Sequence, residues 1–203
     1  MKKNKISKNW INKQKRDFFI KKSKIEGYRS RAVYKLEEIN KKFNILKNGL
    51  SIVDLGAAPG SWSQYISKNF KNTKLMAIDL KKMDKIDNVY SIQGDFTDYE
   101  YQSRIKAYFK TKIDVVISDM AENTTGNKNL DVIATTELFN HAISFSKKIL
   151  KDDGVFIGKI FMGSTFQEIT SESKTIFEKT KVFKPSSSKK DSKESFIICR
   201  YLR

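Results

Sequence analysis

The chain has 203 residues, and its 40 Lys and Arg against 23 Asp and Glu give a formal net charge of +17. With 39% hydrophobic and 12% aromatic residues it has the length of one domain and can form a core, which excludes a chain disordered throughout. The absence of a run of about 18 apolar residues excludes a membrane-spanning helix, and the single cysteine, Cys199, excludes an internal disulfide or a cysteine-based zinc site.

The basic residues are concentrated at the N-terminus. Residues 1–24 contain ten Lys and Arg and one acidic residue, Asp17, so this segment carries +9 of the net charge. A polyanionic partner, either nucleic acid or an acidic membrane surface, fits this pattern best. The alternative is a genome whose codon usage favours lysine. Because the segment lacks the apolar stretch of a secretory signal, we expect a cytoplasmic protein.

The predicted elements alternate between helix and strand along most of the chain. Apolar residues at helical spacing predict helices, and short runs rich in β-branched residues predict strands. The predicted helices are 28–44, 61–70, 131–151 and 164–178, and the predicted strands are 51–55, 74–79, 89–93, 113–119, 154–161, 181–183 and 196–199. The sequence therefore predicts an α/β fold with a mostly parallel sheet that ends in an antiparallel hairpin.

Polar side chains mark the predicted carboxyl ends of several strands. The first strand leads into the loop from Gly56 to Gly60, Asp79 ends the second strand, Asp95 follows the third, and Asp119 ends the fourth. Ligands of open α/β sheets bind at this edge, and an acid about 20 residues past the glycine loop suits a ribose diol. Because the loop lacks the G-x-G-x-x-G pattern of pyrophosphate sites, S-adenosylmethionine fits best. Each acid taken alone is more typical of a helix cap or a turn.

Lys159 lies inside the apolar strand 154–161. Burial of a charge is costly unless it is paired or neutralised, and burial favours the neutral amine, which can act as a general base. The alternative is a lysine at the strand end that reaches solvent.

Several motifs together closely resemble the FtsJ family of methyltransferases, and the similarity extends from about Trp10 to the C-terminus. They are residues 30–36 (SRAVYKL), 53–64 (VDLGAAPGSWSQ), 93–96 (QGDF), 118–121 (SDMA), 184–188 (KPSSS) and 192–194 (SKE). The resemblance implies a Rossmann-like class I fold with a seven-stranded sheet. It also implies a catalytic tetrad of Lys35, Asp119, Lys159 and Glu194. The cofactor contacts it implies are Gly56, Gly60, Trp62, Asp79, Asp95 and Asp119.

The same resemblance implies S-adenosylmethionine-dependent 2′-O-methylation of a uridine in large-subunit (23S) rRNA by a monomer that needs no metal. Residues 1–24 would be a basic RNA-binding arm and residues 25–203 the methyltransferase domain. Lys159 would take the proton of the ribose hydroxyl. Repulsion from Lys35 would favour its neutral form, whereas Asp119 and Glu194 would favour the ammonium.

Three other functions stay open: methylation of a tRNA anticodon-loop ribose, methylation of an mRNA cap ribose, and a non-catalytic role as an RNA-binding ribosome-assembly factor. Two residues depart from the family pattern. Glu122 stands where the family usually has Pro, and Phe196 stands where Tyr is common.

Overall fold

The computed structural model describes residues 17–121, 128–189 and 191–203. The helices within these ranges are α1 (Phe18–Ile25), α2 (Val33–Phe43), α3 (Ser61–Asn69), α4 (Tyr99–Phe109), α5 (Lys128–Ile149) and α6 (Phe166–Ile176). The strands are β1 (Ser51–Leu55), β2 (Lys74–Asp79), β3 (Val89–Gln93), β4 (Ile113–Ser118), β5 (Leu150–Phe161), β6 (Phe177–Phe183) and β7 (Glu194–Leu202).

The seven strands form one sheet in the order β3-β2-β1-β4-β5-β7-β6. Strands β1 to β5 pair in parallel, and β7 pairs antiparallel with both β5 and β6. The predicted fold class and the C-terminal antiparallel pair are confirmed. Because β7 runs opposite to β5, its first residue, Glu194, lies opposite Phe161. Glu194 thereby reaches the edge of the sheet at which the parallel strands end.

Helices cover both faces of the sheet, and each face has its own apolar core. Alternate strand residues point to opposite faces. Val53, Met76 and Phe156 face the core built with α4, α5 and α6, whereas Ile52 and Ile157 face the core built with α2 and α3. Lys159 is two residues after Ile157 on β5, so it shares the face that α2 covers.

The N-terminal part of the described chain differs from the single helix predicted over 28–44. Asp17 caps α1 by accepting hydrogen bonds from the backbone N–H groups of Phe19 and Ile20. Gly27, with φ +68°, follows α1, and α2 begins only at Val33. Between them the guanidinium of Arg29 donates to the carbonyl oxygens of Pro59, Asp84 and Lys85, which ties this connection to the rest of the domain.

Helix α4 has no counterpart among the predicted elements. Only Ile105 and Phe109 of its eleven residues are buried, so its apolar periodicity is weak. The predicted bounds of β1, β2 and β3 agree with the structure, and most of the others differ by a few residues. None of the described helices is both long and apolar enough to cross a membrane.

Candidate active site

A cavity of about 790 Å³ opens at the carboxyl ends of the parallel strands. Gly56, Asp79, Asp95 and Asp119, which follow or end four different strands, all line it. Helix α5 closes another side with residues that include Ile133 and Glu137. The volume lies within the range of roughly 300–1,000 Å³ found for small-molecule sites. The strand-end acids predicted from the sequence therefore share one cavity.

Asp79 is fixed by the backbone around it. Its Oδ2 atom accepts a hydrogen bond of 2.9 Å from the N–H of Ala58 in the glycine loop, and its Oδ1 atom accepts one of 2.8 Å from the N–H of Lys81. A carboxylate oxygen has a second lone pair, so each oxygen can still accept from a ligand hydroxyl. Asp79 thus links the glycine loop to the end of β2 and can bind a diol.

The glycine loop needs glycine at both of its ends. Gly56 and Gly60 have φ values of +70° and +100°, a conformation that side chains disfavour. A Cβ atom at Gly56 would lie 2.0 Å from Cγ of Met120, and one at Gly60 would lie 2.7 Å from Ile86. Gly56 lines the large cavity, whereas Gly60 packs beneath Ile86 and Arg29 and lines no described cavity.

Four charged side chains meet beside this cavity. The ammonium of Lys35, on α2, lies 2.8 Å from Oε2 of Glu194 and 3.5 Å from Oδ2 of Asp119. The ammonium of Lys159, on β5, lies 3.1 Å from Oδ1 of Asp119 and donates to the backbone carbonyl oxygen of the same residue. The structure therefore brings the four residues of the predicted tetrad into one cluster, with Asp119 between the two lysines.

The charges of this cluster stabilise one another. Burial lowers the pKa of Lys35, but the Asp119 and Glu194 carboxylates outweigh it and leave that pKa above its ordinary value. Burial raises the pKa of Asp119, but Lys159 and Lys35 outweigh it and leave that pKa below its ordinary value. For Lys35, attraction by the carboxylates is thus the stronger of the opposing effects, and Lys35 is an ammonium beside an ionised Asp119.

Phe196 forms the apolar floor of the cluster. It is fully buried, its ring centroid lies 5.8 Å from the ammonium of Lys35, and it packs against Trp62 at a centroid distance of 5.7 Å. Phe196, which stands where the resemblance implies that Tyr is common, thus contributes packing and no hydroxyl to the cluster. The other departure, Glu122, lies outside the described residues.

Trp62 does not line the large cavity. Its indole N–H donates to the carbonyl oxygen of Ala32 at 2.7 Å, and its ring lines a separate cavity of about 40 Å³ together with Asp54 and Asp119. The predicted site residues therefore divide into three groups: those at the large cavity, the charged cluster, and Gly60 and Trp62, which pack behind the glycine loop.

Asp54 is a buried acid that was missed among the candidate site residues. It lies near the carboxyl end of β1, is 1% exposed, and accepts a hydrogen bond of 2.7 Å from the hydroxyl of Ser63. Burial raises its pKa to about 7. The signal was present in the sequence, because an acid inside the apolar run of β1 is the same kind of anomaly as Lys159 inside β5.

The chemistry of the cavity lining suits S-adenosylmethionine. Its acidic members are Asp79, Asp95, Asp119, Asp131 and Glu137, and its basic members are Lys81 and His141. An acidic lining attracts a ligand with a positive sulfonium and ammonium and repels a pyrophosphate. Within the described ranges, no group of three or more His, Cys, Asp or Glu is arranged to hold a metal ion.

Comparison with known proteins gives concordant results. The sequence model of the FtsJ-like methyltransferase family matches residues 28–202. "Ribosomal RNA large subunit methyltransferase E" of Pelagibacter ubique is 60% identical over 203 residues, which are 100% of both chains. The protein of the same name from Legionella pneumophila strain Corby is 41% identical over 202 residues, 98% of each chain.

Solved structures share the fold. A Plasmodium falciparum protein assigned as a ribosomal RNA methyltransferase superposes with a TM-score of 0.77 at 34% identity, over 86% of this chain and 98% of that one. Human methyltransferase-like protein 13, solved in complex with SAH, gives a TM-score of 0.59 at 14% identity, over 75% of this chain and 72% of that one. The second likeness concerns the fold alone.

Proposed function

Because the chain belongs to the FtsJ-like methyltransferase family, we propose that it transfers a methyl group from S-adenosylmethionine to the 2′-hydroxyl of a uridine in 23S rRNA. Full-length similarity to proteins named ribosomal RNA large subunit methyltransferase E supports the large subunit as the source of the substrate. The tRNA, mRNA-cap and non-catalytic alternatives gain no comparable support.

One observation carries the chemical part of the proposal: two lysines and two carboxylates meet beside an acidic cavity that suits the cofactor. A ribose hydroxyl is a weak nucleophile and needs a base within hydrogen-bond reach. When bound, S-adenosylmethionine supplies a methyl group that its sulfonium has already activated. The remaining task for the chain is to orient the hydroxyl and to take its proton.

The residues of the cluster divide that task. Lys159 accepts the hydroxyl proton as a neutral amine, and Asp119, 3.1 Å away, stabilises the ammonium that results. Lys35 stays an ammonium, because Glu194 and Asp119 hold its pKa above the ordinary value, and it donates hydrogen bonds to the ribose. At the neighbouring cavity, Asp79 binds the ribose diol of the cofactor, and Asp95 and Gly56 line the nucleoside site.

The N-terminal segment supplies the contacts to RNA in this proposal. Residues 1–24 serve as the arm and residues 25–203 as the catalytic domain, working as a cytoplasmic monomer that needs no metal. In the described part of the arm, Phe19 packs against Tyr34 of α2 at a centroid distance of 5.3 Å, and Asp17 pairs with Arg31. These contacts anchor the arm next to the helix that carries Lys35.

The test is methyl transfer by the purified chain from labelled S-adenosylmethionine. Its substrates are large ribosomal subunits, naked 23S rRNA and tRNA, each from cells that lack the gene, followed by mapping of the 2′-O-methyls. We expect one modified uridine in the large-subunit RNA. Label found only in tRNA would show that tRNA, and not 23S rRNA, is the substrate. The absence of label from every RNA would overturn the proposed activity.

A further inference from the structure

Glu38 joins helix α2 to the loop between β6 and β7. Its Oε2 atom accepts hydrogen bonds of 2.7 Å from both the backbone N–H and the hydroxyl of Ser186, and its Oε1 atom accepts one of 2.8 Å from the N–H of Ser187. About 148 residues separate the two partners in sequence. Glu38 is three positions after Lys35 and so lies on the same side of α2.

The far end of the same loop contacts the charged cluster. The hydroxyl of Ser188 donates a hydrogen bond of 2.8 Å to Oε1 of Glu194, and Oε2 of Glu194 accepts one of 2.8 Å from Lys35. Each oxygen of the Glu194 carboxylate therefore has its own partner. Without the serine hydroxyl, the carboxylate would be held on one side only.

These contacts close a ring. It runs from Lys35 to Glu194, to Ser188, back one residue to Ser187, then to Glu38, and returns to Lys35 along one turn of α2. Ser187 and Ser188 are buried, at 0% and 6% exposure. Arg31, four residues before Lys35, donates to the carbonyl oxygen of Ser187. The side chains of Lys35, Glu38, Ser188 and Glu194 each have hydrogen-bond partners in this ring, which restricts their rotamers, and Ser187 takes part through its backbone.

We propose that Glu38 is a positioning residue for methyl transfer: by holding Ser186 and Ser187 it keeps the Ser188 hydroxyl on Glu194, which in turn holds the Lys35 ammonium in the site. This inference rests on the proposed function, because Lys35 and Glu194 are assigned to the reaction there. Glu38 itself touches neither Lys35 nor Glu194 through any contact described above. It acts only through the loop.

The consequence of loosening the loop is specific. Glu194 and Asp119 hold the pKa of Lys35 above its ordinary value, against the opposite effect of burial. If Glu194 rotates away, the carboxylate attraction weakens while burial remains, so this pKa falls. Activity that depends on the Lys35 ammonium is then lost at a lower pH. A residue that only stabilised the fold would not move this limb of the pH profile.

The experiment compares Glu38→Gln with Glu37→Gln in the full-length protein. Glu37 is the neighbouring exposed acid on α2, so the second variant is matched for charge, helix and substitution. An amide cannot accept through its nitrogen, so Glu38→Gln loses at least one of the three hydrogen bonds. We expect kcat to fall about tenfold, the typical effect of losing a charged hydrogen bond. The KM for S-adenosylmethionine should not change, and the alkaline limb of the pH profile should move to lower pH.

Two further variants separate positioning from general damage. Glu38→Asp keeps the carboxylate and should recover part of the lost kcat. Ser188→Ala removes the last link of the same path, so the Glu38→Gln and Ser188→Ala double variant should be no slower than the slower single variant. If the fold-decrease in kcat of the double variant equalled the product of the two single fold-decreases, the two residues would act independently, and the inference would be overturned.

Other outcomes are equally decisive. The positioning role would be overturned if Glu38→Gln and Glu37→Gln had equal kcat. It would also be overturned if kcat fell in Glu38→Gln while the alkaline limb of its pH profile stayed where it is in wild type. If the wild-type chain methylates no RNA, the proposed function fails instead. The ring is then tested without turnover, by NMR titration of the Lys35 ammonium in wild type and Glu38→Gln. An unchanged titration midpoint would overturn the inference, and a lower midpoint in the variant would support it.

Discussion

Lys159 and Asp119 contact each other twice, through a carboxylate oxygen 3.1 Å from the lysine ammonium and through the Asp119 backbone carbonyl oxygen, to which that ammonium donates. The two side chains are only 8% and 18% exposed, so solvent screens the pair weakly. Asp119 therefore fixes the position of the Lys159 side chain through two contacts at the end of β4.

This relationship predicts the behaviour of two substitutions at Lys159. Lys159→Ala removes the base, and Lys159→Arg keeps the positive charge beside Asp119 but cannot be deprotonated. Both should lower kcat by about 10²- to 10⁴-fold, the usual contribution of a general base. Calorimetric affinity for S-adenosylmethionine should be retained in both, because the base acts only in the chemical step.

The control for this pair is Lys151→Ala. Lys151 lies on the same strand, β5, but it is exposed and pairs with Asp114 away from the cavity. It should keep wild-type turnover. Near-wild-type turnover by Lys159→Arg at neutral pH would contradict the assignment of Lys159 as the base.

The sequence alone predicts those parts of the fold in which local pattern and tertiary structure agree. Strands β1, β2 and β3 are short runs rich in apolar residues, and all three lie at their predicted positions. Helix α4 could not be predicted in this way, because few of its residues are buried. The start of α2 at Val33 depends on contacts of Arg29 with residues about 30 to 56 positions away, which no local pattern contains.

The residues of the candidate site likewise fall into those that local sequence pattern predicts and those that it does not. Lys159 and the strand-end acids Asp79 and Asp119 stand out from the residues themselves, because they are charges next to or inside apolar strands. The approach of Lys35 to Glu194 joins residues 159 positions apart, and only the family resemblance indicated it beforehand. The ring through Glu38 and Ser188 involves serines of a loop, whose roles appear only once the loop is folded against α2.

Asp79→Ala should weaken binding of S-adenosylmethionine by about 2 kcal/mol, the typical effect of losing hydrogen bonds to a charged acceptor. Isothermal titration calorimetry measures this directly. Because Asp79 also accepts from the backbone of Ala58 and Lys81, a modest loss of thermal stability should accompany the change. Asp84→Ala, at an exposed acid in the following loop, should bind the cofactor like wild type. Unchanged affinity in Asp79→Ala would place the nucleoside elsewhere.

Asp54 predicts a pH dependence of stability. Its pKa is about 7 in the folded chain and near 3.8 when exposed, so between these values the folded state keeps a proton that the unfolded state has released. The stability that Asp54 contributes then falls as pH rises from about 4 to about 7, and this contribution is constant above that range. Asp54→Asn cannot ionise and should lack this contribution.

The measurement is urea unfolding of wild type and Asp54→Asn at pH 5 and pH 8. From pH 5 to pH 8 the variant should gain about 3 kcal/mol of stability relative to wild type, because wild type loses about 1.4 kcal/mol per pH unit between pH 5 and about pH 7. Asp87→Asn, at an exposed position, serves as the control and should follow wild type at both pH values. An equal difference between wild type and Asp54→Asn at pH 5 and pH 8 would show that Asp54 ionises as readily in the folded chain.

Deletion of residues 1–8 should separate RNA affinity from catalysis. The segment carries four lysines, and each phosphate that a lysine neutralises steepens the salt dependence of binding by about one log unit per log unit of salt. The truncated chain should therefore bind RNA more weakly, with a flatter salt slope. Its affinity for S-adenosylmethionine should not change, because Asp79 and the glycine loop lie within the domain.

RNA affinity measured across a salt series decides the matter, with full-length and truncated protein side by side. A matched control replaces Lys2, Lys3, Lys5 and Lys8 by Gln, which keeps the chain length and removes the charge. Because the predicted effect is electrostatic, this variant should reproduce the slope of the truncation. Equal slopes in all three proteins would mean that these lysines contact no phosphate. The RNA-binding surface would then have to be the remaining +8 of charge on residues 25–203, around Arg29, Arg31 and Lys35.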